Sequence, residues 1–406
     1  MLMRLFSYIF RILFLMSVLL SVSCEQLPAA PKDKGGRLKI VWDTPEMVVA
    51  KGGYPRVHRL NDSRLMLSYS LGGHTYARFS NDDGYSWSDQ AQRIISGFTE
   101  DGKYGKVFVN ASNPEFAQLS QTNPHCPGRM IFAVNYRPKD NRSSIYPYTI
   151  AISTSDDNGK SWSEARHIYK SERWDKDVVR GCWEPFVLEL PDGTVQIYFA
   201  DETPYYREGA SWQNISVIES KDGGETWGNL RVVSQNGPHR DGMPVVTLYD
   251  GMLYMAIESS EKDIRLHPIV VCNSLEDNWS ETAGRGSEYR FHPFAESMES
   301  EEIYSGAPYI IQTENYLVYS YQISDDPDVV HDARHSTLEV QACPKAEIKK
   351  NGYFYTMRGA SRPLDVDQSK EAALWNSLCD LGNDEILVVS QYRAAVWITR
   401  GRIVMK

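Results

Sequence analysis

Three near-copies of one eight-residue pattern constrain the fold of this chain more than any other feature. Each copy reads S-x-D-x-G-x-[ST]-W, and the copies begin at residues 80, 155 and 220. The Asp and hydroxyl side chains can hydrogen-bond their own turn, the Gly permits a positive φ, and the Trp packs on the sheet below. We therefore expect Trp87, Trp162 and Trp227 to be buried against their own sheets. Because the copies are 65 to 75 residues apart, the repeated unit is larger than a hairpin, which indicates a propeller.

A second repeat gives the number of propeller units. It consists of hairpins whose first strand carries a proline. Five such strands have their proline at positions 55, 114, 185, 244 and 308, and a sixth unit without one begins at Leu374. Turn signals such as Pro191-Asp-Gly193 separate the paired apolar runs. The sequence predicts an all-β fold, a six-bladed β-propeller of four-stranded antiparallel blades over residues 38–406. A β-sandwich or two separate β domains is the alternative.

The first residues of the chain have the features of an export signal. Arg4 and Arg11 precede an apolar run, Ile12–Val22, which is too short to span a bilayer comfortably. The segment Leu20-Ser-Val-Ser-Cys24 resembles a bacterial lipoprotein cleavage site. We predict a lipoprotein-type signal peptide at 1–23, lipidation of Cys24, a tether at 24–37, and an exported lipoprotein in the periplasm or on the outer-membrane surface. Ordinary cleavage and secretion is the alternative.

The amino-acid composition limits the classes of partner that the protein is expected to bind. The formal net charge of −10 argues against nucleic acid and against a basic membrane-binding face, so we expect membrane contact only through a lipid anchor. The five cysteines after Cys24 lack metal-ligand spacing and read as buried small hydrophobic residues. We expect a monomer that uses no metal or other cofactor and acts on a plant-type polysaccharide or oligosaccharide.

The propeller geometry indicates where chemistry belongs. Inner strands begin near the central axis, so polar side chains at their starts, and at the ends of the return strands, converge on one funnel. The polar residues at these places are Arg56, Asn113, Glu184, Asp241, Asn376, Asp201, Glu202 and Glu258. Glycosidic cleavage requires two carboxyl groups, one that protonates the departing oxygen and one that attacks or activates water.

Several segments together resemble the exo-1,5-α-L-arabinanases of glycoside hydrolase family 93, within the sialidase-like Asp-box propellers. The segments are Trp183–Phe186, Ile197–Glu202, the box at Ser220–Trp227, Arg240–Met243, Ala256–Ser259 and Trp375-Asn376. The resemblance implies a retaining enzyme that releases arabinobiose from the non-reducing end of linear arabinan with two glutamates. By position these are Glu184, assigned as nucleophile, and Glu258, assigned as general acid/base. Trp183 beside Glu184 favours the reverse assignment, which stays open. A retaining pair places its carboxyl groups about 5–5.5 Å apart.

Other polar residues of the funnel are candidates for substrate binding. They are Arg56, Asn113, Trp183, Asp201, Glu202, Arg240, Asp241 and Asn376. Alternatively, several of them hold neighbouring blades together, Glu184 forms a salt bridge with Arg180 or Arg56, and Glu258 is a solvated loop charge. The segments Glu202–Trp212, with Tyr205 and Tyr206, and Glu296–Tyr304 are candidates for the wall that closes an exo-acting cleft.

Two other functions remain open. An exo-sialidase needs an arginine cluster for the substrate carboxylate, for which Arg56, Arg290 and Arg358 are available. A non-catalytic glycan-binding propeller at the cell surface would keep the aromatic residues but would have no need of two facing glutamates.

Overall fold

The computed structural model describes residues 38–140, 146–171, 180–205, 212–260, 266–294, 303–349 and 356–405. These residues form six antiparallel sheets of four or five strands. The inner strand of each sheet contacts the inner strands of two neighbouring sheets, and the sixth contacts the first. The sheets therefore close into a ring, which confirms the predicted six-bladed β-propeller. Cys24 and the predicted signal peptide and tether lie outside the described residues.

Each blade runs from an inner strand to an outer strand. Blade 1 contains β3 (Gly53–Arg59), β4 (Leu65–Leu71), β5 (His74–Ser80) and β6 (Gln92–Arg93); blade 2 contains β8 (Gly105–Gln118), β9 (Met130–Pro138), β10 (Thr149–Ser155) and β11 (Arg166–Lys170), with β7 (Phe98–Gly102) paired to β8; blade 3 contains β12 (Cys182–Glu189), β13 (Val195–Asp201), β14 (Asn214–Ser220) and β15 (Gly228–Ser234). Blade 4 contains β16 (Asp241–Tyr249), β17 (Met252–Ser259), β18 (His267–Ser274) and β19 (Arg290–Phe291); blade 5 contains β20 (Tyr304–Gln312), β21 (Tyr316–Ser324), β22 (Thr337–Pro344) and β23 (Arg358–Ser361); blade 6 contains β24 (Ala373–Gly382), β25 (Glu385–Tyr392) and β26 (Ala395–Met405). Short 3-10 turns occur at Thr203–Tyr205, Ala333–His335 and Lys345–Glu347.

The outer edge of blade 6 comes from the other end of the chain. Strand β1 (Leu38–Trp42) pairs with the last residues of β26, and β2 (Glu46–Val49) pairs with its first residues. The ring is therefore closed by hydrogen bonds between the start and the end of the propeller. No helix among the described residues is long and apolar enough to cross a membrane.

Every inner strand contains the same β-bulge, which lies near the beginning of the strand in five blades and in the second half of the longer β8 in blade 2. In each blade the pairing register shifts across two residues, of which the first has a left-handed backbone with φ of 44–53°. The six left-handed residues, which we call the bulge ring, are Tyr54, Asn113, Glu184, Met243, Ala307 and Trp375. Proline follows in five blades, because a residue without an N–H is tolerated in a strand where the ladder is interrupted. A bulge re-aims its side chain, and the side chains of Tyr54, Met243, Ala307 and Trp375 pack together in one cluster. The bulges thus point one side chain per blade to the central axis.

The three sequence copies form identical turns between the third and fourth strands of blades 1 to 3. In the first, Ser80 Oγ donates to Asp82 and accepts the N–H of Gly84, while the Ser86 N–H and Oγ donate to Asp82. The Trp87 indole donates to the carbonyl of Gly84 at 3.1 Å. The same bonds recur in the other two copies. Hydrogen bonds from Ser86 lower the pKa of Asp82 to about 2. Since successive strands are antiparallel, these turns lie on the face opposite the starts of the inner strands.

The tryptophans of these turns seal the junctions between blades. Trp87, Trp162 and Trp227 are each half-buried rather than buried, which corrects the expectation from sequence. Trp162 packs on a cluster that contains Met66 of blade 1 as well as Phe132 of blade 2. The degenerate fourth turn ends in Trp279, which is fully buried and donates to Tyr198 of blade 3. The turns therefore fasten each blade to the one before it.

Replacing Trp162 with alanine should lower the free energy of unfolding by about 2–3 kcal/mol, less than full burial would give, because only part of the indole leaves water. Urea unfolding of Trp162→Ala measures this loss. The matched control is Tyr104→Ala, at a side chain 73% exposed, for which we expect a change within about 0.5 kcal/mol. Equal losses in the two variants would contradict the role of Trp162 at the junction.

Candidate active site

A second set of equivalent residues lies on the return strands, beside the bulges. In each blade one residue of the second strand pairs with the last residue before the bulge. These six residues, the partner ring, are Ser70, Asn135, Ala200, Glu258, Gln322 and Gln391. Both rings lie where the inner strands start, and each predicted glutamate belongs to one of them. Glu184 stands in the bulge ring of blade 3, and Glu258 stands in the partner ring of blade 4.

Two partner-ring side chains accept a hydrogen bond from the backbone of the next blade at equivalent positions. Gln322 Oε1 accepts the N–H of Trp375 in blade 6 at 3.0 Å. Glu258 Oε2 accepts the equivalent N–H, that of Ala307 in blade 5, at 2.9 Å. A neutral amide therefore suffices for this structural bond in blade 5. The carboxylate in blade 4 adds a negative charge that the fold itself does not require.

Glu258 is buried and is held from two sides. It is only 3% exposed, and its Oε1 accepts a hydrogen bond from Arg240 Nη2 at 2.5 Å. A Cβ on Gly306 would lie 2.8 Å from Glu258 Oε2, so the absence of a side chain there makes room for the carboxylate. This position excludes the alternative that Glu258 is a solvated loop charge.

Glu184 has a different environment, with little hydrogen bonding. Its Oε2 is buried and has no hydrogen-bond partner among the described residues. Burial raises the pKa of Glu184 to about 7, the nearby Arg240 charge opposes this rise, and the Glu258 carboxylate adds to it. The two glutamates are therefore electrostatically coupled. The salt bridge of Glu184 to Arg56, which was part of the alternative reading, is not formed, because Arg56 pairs with Glu115.

Arg240 is the cation of the site. Burial opposes its charge, but Glu258, Glu184 and Glu202 together hold its pKa above the usual range. Glu202 accepts the N–H of Gly181 at 2.8 Å, and burial raises the pKa of Glu202. Tyr304 lies beside the same group, since a Cβ on Gly306 would meet both its hydroxyl and Glu258. Three carboxyl groups, one guanidinium and one phenol thus face each other.

Four of the predicted binding residues are engaged inside the fold. Asp241 is fully buried and takes both nitrogens of the Arg290 fork at 2.7 and 3.0 Å. Asp201 accepts from Tyr169 Oη at 2.8 Å and from the Thr203 N–H.

The other two of the four bond the backbone of neighbouring blades. Arg56 donates to the carbonyl of Asn376 and stacks on Tyr54, with 3.9 Å from Cζ to the ring centroid. Asn376 Nδ2 donates to the carbonyl of Ala307 at 2.9 Å. For Asp201, Arg56 and Asn376 the geometry favours the alternative reading that they hold blades together, and Asp241 is paired within blade 4.

The remaining candidates border the funnel. Asn113 stands in the bulge ring, and its buried Oδ1 has no hydrogen-bond partner within the described parts of the chain. Trp183 is half-buried against Tyr148, with ring centroids 4.7 Å apart. Of the two wall segments, Tyr205 and Trp212 are in edge-to-face contact, whereas Tyr206 and residues 296–302 lie outside the described residues.

Sequence reasoning missed two members of the site. Tyr54 occupies the same bulge-ring position as Glu184, and its signal was the repeated residue before proline. Arg137, at the end of β9, acts electrostatically on Glu184 but carried no sequence motif. Within the described residues, no group of three or more His, Cys, Asp or Glu side chains is arranged to hold a metal ion.

The closed ring and the box turns define a sialidase-like β-propeller. The chain belongs to the BNR repeat-like domain family, whose sequence profile matches residues 33–315. No curated protein matches the chain in sequence.

Solved structures with the same fold include three informative glycosidases. An α-L-arabinanase of Penicillium chrysogenum in complex with arabinobiose is similar at 17% identity with a TM-score of 0.58, covering 92% of this chain and 99% of its own. The family 93 α-L-arabinofuranosidase of Fusarium graminearum, also in complex with arabinobiose, is 13% identical with a TM-score of 0.59, and the match covers 92% of this chain and 98% of that chain. The NanB sialidase of Streptococcus pneumoniae is 11% identical with a TM-score of 0.55, and the match covers 91% of this chain and 71% of that chain. At these identities the likeness establishes the fold.

Glu258→Gln should be more stable than Glu258→Ala by about 1–2 kcal/mol, because glutamine retains an acceptor for the N–H of Ala307, as Gln322 does for Trp375. Chemical denaturation of both variants tests this difference. Gln322→Ala serves as the matched control and should lose a similar amount. Equal stability of the Gln and Ala variants at position 258 would show that the blade-to-blade bond contributes nothing.

Proposed function

We propose that this protein is an exo-acting, retaining glycoside hydrolase whose catalytic pair is Glu184 and Glu258. The observation that carries the proposal is the contrast between equivalent positions. Glu184 has an apolar counterpart in four of the other five bulge-ring positions, and Glu258 has a neutral counterpart throughout the partner ring. Charges that the architecture does not need therefore meet at one point of the funnel, and such charges are typical of catalytic sites.

The surroundings of the two residues favour the reverse of the roles assigned from sequence. Glu184, whose pKa burial raises to about 7, can hold a proton at neutral pH and donate it to the departing oxygen. Glu258 accepts hydrogen bonds from Arg240 and from the backbone, which are the contacts of an ionised carboxylate. We therefore propose Glu184 as general acid/base and Glu258 as nucleophile.

The proposed substrate is α-1,5-linked arabinan, with arabinobiose as the product. This specificity rests on the family 93 resemblance of the sequence and on the likeness of fold to structures that contain arabinobiose. We further propose that the protein is exported as a lipoprotein anchored through Cys24 and that it acts as a monomer on plant-type polysaccharide.

The sialidase alternative has less support from the arginines. Of the three that the sequence offered, Arg56 pairs with Glu115, Arg290 with Asp241, and Arg358 with Glu347. All three guanidinium groups are thus occupied by carboxylates of the protein. A purely glycan-binding propeller would not account for the charges of Glu184 and Glu258.

Incubation with linear 1,5-arabinan should release one short product early, arabinobiose, and ¹H NMR should show that its anomeric configuration is retained. Glu184→Gln and Glu258→Gln should each lower kcat/KM by roughly 10²- to 10⁴-fold with little change in melting temperature. A ladder of oligosaccharides would indicate internal cleavage. Release of sialic acid from sialyllactose would instead support the alternative enzyme.

The pH profile separates the two role assignments. If Glu184 must be protonated in the free enzyme, kcat/KM should be high below pH 7 and fall as the pH rises through about 7. If Glu184 were the nucleophile, kcat/KM would rise across the same range. Azide with an aryl α-arabinoside gives an independent control. Glu184→Ala should form the azide with retained configuration, and Glu258→Ala should form the inverted azide.

A further inference from the structure

Two arginines beside the proposed catalytic pair form no ion pair with a carboxylate among the described residues. Arg180, just before the inner strand of blade 3, is 5% exposed, and its Nε and Nη2 are buried without a hydrogen-bond partner among the described residues. Burial of guanidinium N–H groups without hydrogen-bond partners is unfavourable unless something else binds them. Buried polar groups of this kind call for a bound water or ligand.

The second arginine contacts the ring of Trp183. The Cζ of Arg137, at the end of β9, stands 5.8 Å from the centroid of the Trp183 ring, and the described residues offer it no ion pair. The Trp183 indole in turn covers Gly181, because a Cβ on that glycine would lie 2.4 Å from the ring. Arg180, Gly181, Trp183 and Arg137 therefore form a continuous group next to Glu184.

This group is distinct from the cation that serves the catalytic pair. Arg240 is bonded to Glu258 and belongs to blade 4, whereas Arg137 and Arg180 belong to blades 2 and 3. Both of the latter act on acidic residues of the site, Arg137 on Glu184 and Arg180 on Glu202, without contacting them as ion pairs. The two guanidinium groups therefore act on the carboxyl groups of the site, and neither forms an ion pair among the described residues.

We propose that Arg137 and Arg180 bind the carboxylate of an acidic sugar, so that the preferred substrate carries a uronic acid residue close to the bond that is cleaved. This inference rests on the proposed glycoside hydrolase activity and departs from neutral arabinan as the preferred substrate. Guanidinium groups match the planar geometry of a carboxylate and form strong charge-assisted hydrogen bonds with it. Because the chain has a net charge of −10, long polyanions are repelled, and a single carboxylate on a short oligosaccharide fits better.

Calorimetry on the intact protein tests the binding directly. The probes are D-glucuronate, its neutral methyl ester, and N-acetylneuraminate, which carries a carboxylate on a different sugar. We expect glucuronate to bind roughly 10- to 100-fold more tightly than the ester, and Arg137→Gln or Arg180→Gln to abolish this preference. Arg93→Gln, at an exposed arginine on the outer strand of blade 1, is the control and should keep the preference.

Each outcome is informative. Equal affinity for glucuronate and its ester, or an unchanged preference in Arg137→Gln, overturns the proposal. If Arg180→Gln fails to fold, Arg180→Lys and the half-exposed Arg137→Gln still decide the matter. Tighter, arginine-dependent binding of N-acetylneuraminate supports the carboxylate site and identifies a nonulosonic acid rather than a uronic acid as its source.

Hydrolysis assays separate this inference from the proposed function. If the protein hydrolyses neutral arabinan and shows no binding preference for acidic sugars, the proposed carboxylate site is contradicted and the proposed glycosidase activity is supported. If the protein binds glucuronate through these arginines but cleaves neither neutral nor acidic oligosaccharides, the proposed glycosidase activity is contradicted and the carboxylate site is supported.

Discussion

The β-bulge at the start of each inner strand is the constraint on which the rest of this propeller depends. A regular strand alternates its side chains between the two faces of its blade, and no side chain would then point along the blade to the axis. The left-handed residue of the bulge turns one side chain per blade into the funnel. Because all six blades adopt this left-handed backbone conformation, its strain is a feature of the propeller fold and not of the candidate catalytic residues in particular.

The candidate functional residues therefore differ from the other blades only in which side chain occupies an equivalent position. Four bulge-ring residues are apolar and pack together, which leaves Asn113 and Glu184 as the polar members. In the partner ring, amide side chains bond the next blade, and Glu258 keeps that bond while adding a charge. The repeat thus supplies internal controls, since each residue of the site can be compared with its counterparts in the other blades.

Electrostatic asymmetry follows from these positions. Glu258 receives a guanidinium and a backbone N–H, and Glu184 stands in a poorly hydrogen-bonded environment where burial raises its pKa to about 7. Two carboxyl groups with such different surroundings are suited to the two different tasks of a glycosidase. Arg137 and Arg180, which form no ion pair among the described residues, are the proposed site for the carboxylate of an acidic substrate.

Sequence by itself determined the fold class, because its signals are local. The Asp-box turns are complete within eight residues, and the prolines at positions 55, 114, 185, 244 and 308 mark the repeated hairpins without reference to any distant partner. Tertiary structure decided which polar residues face the funnel. Asp241 is neutralised by Arg290, 49 residues away, and β1 completes blade 6 from the opposite end of the chain. The Asp241–Arg290 pair depends on how the first and fourth strands of blade 4 come together, and the β1–β26 pairing depends on where the ring closes. No local pattern encodes either.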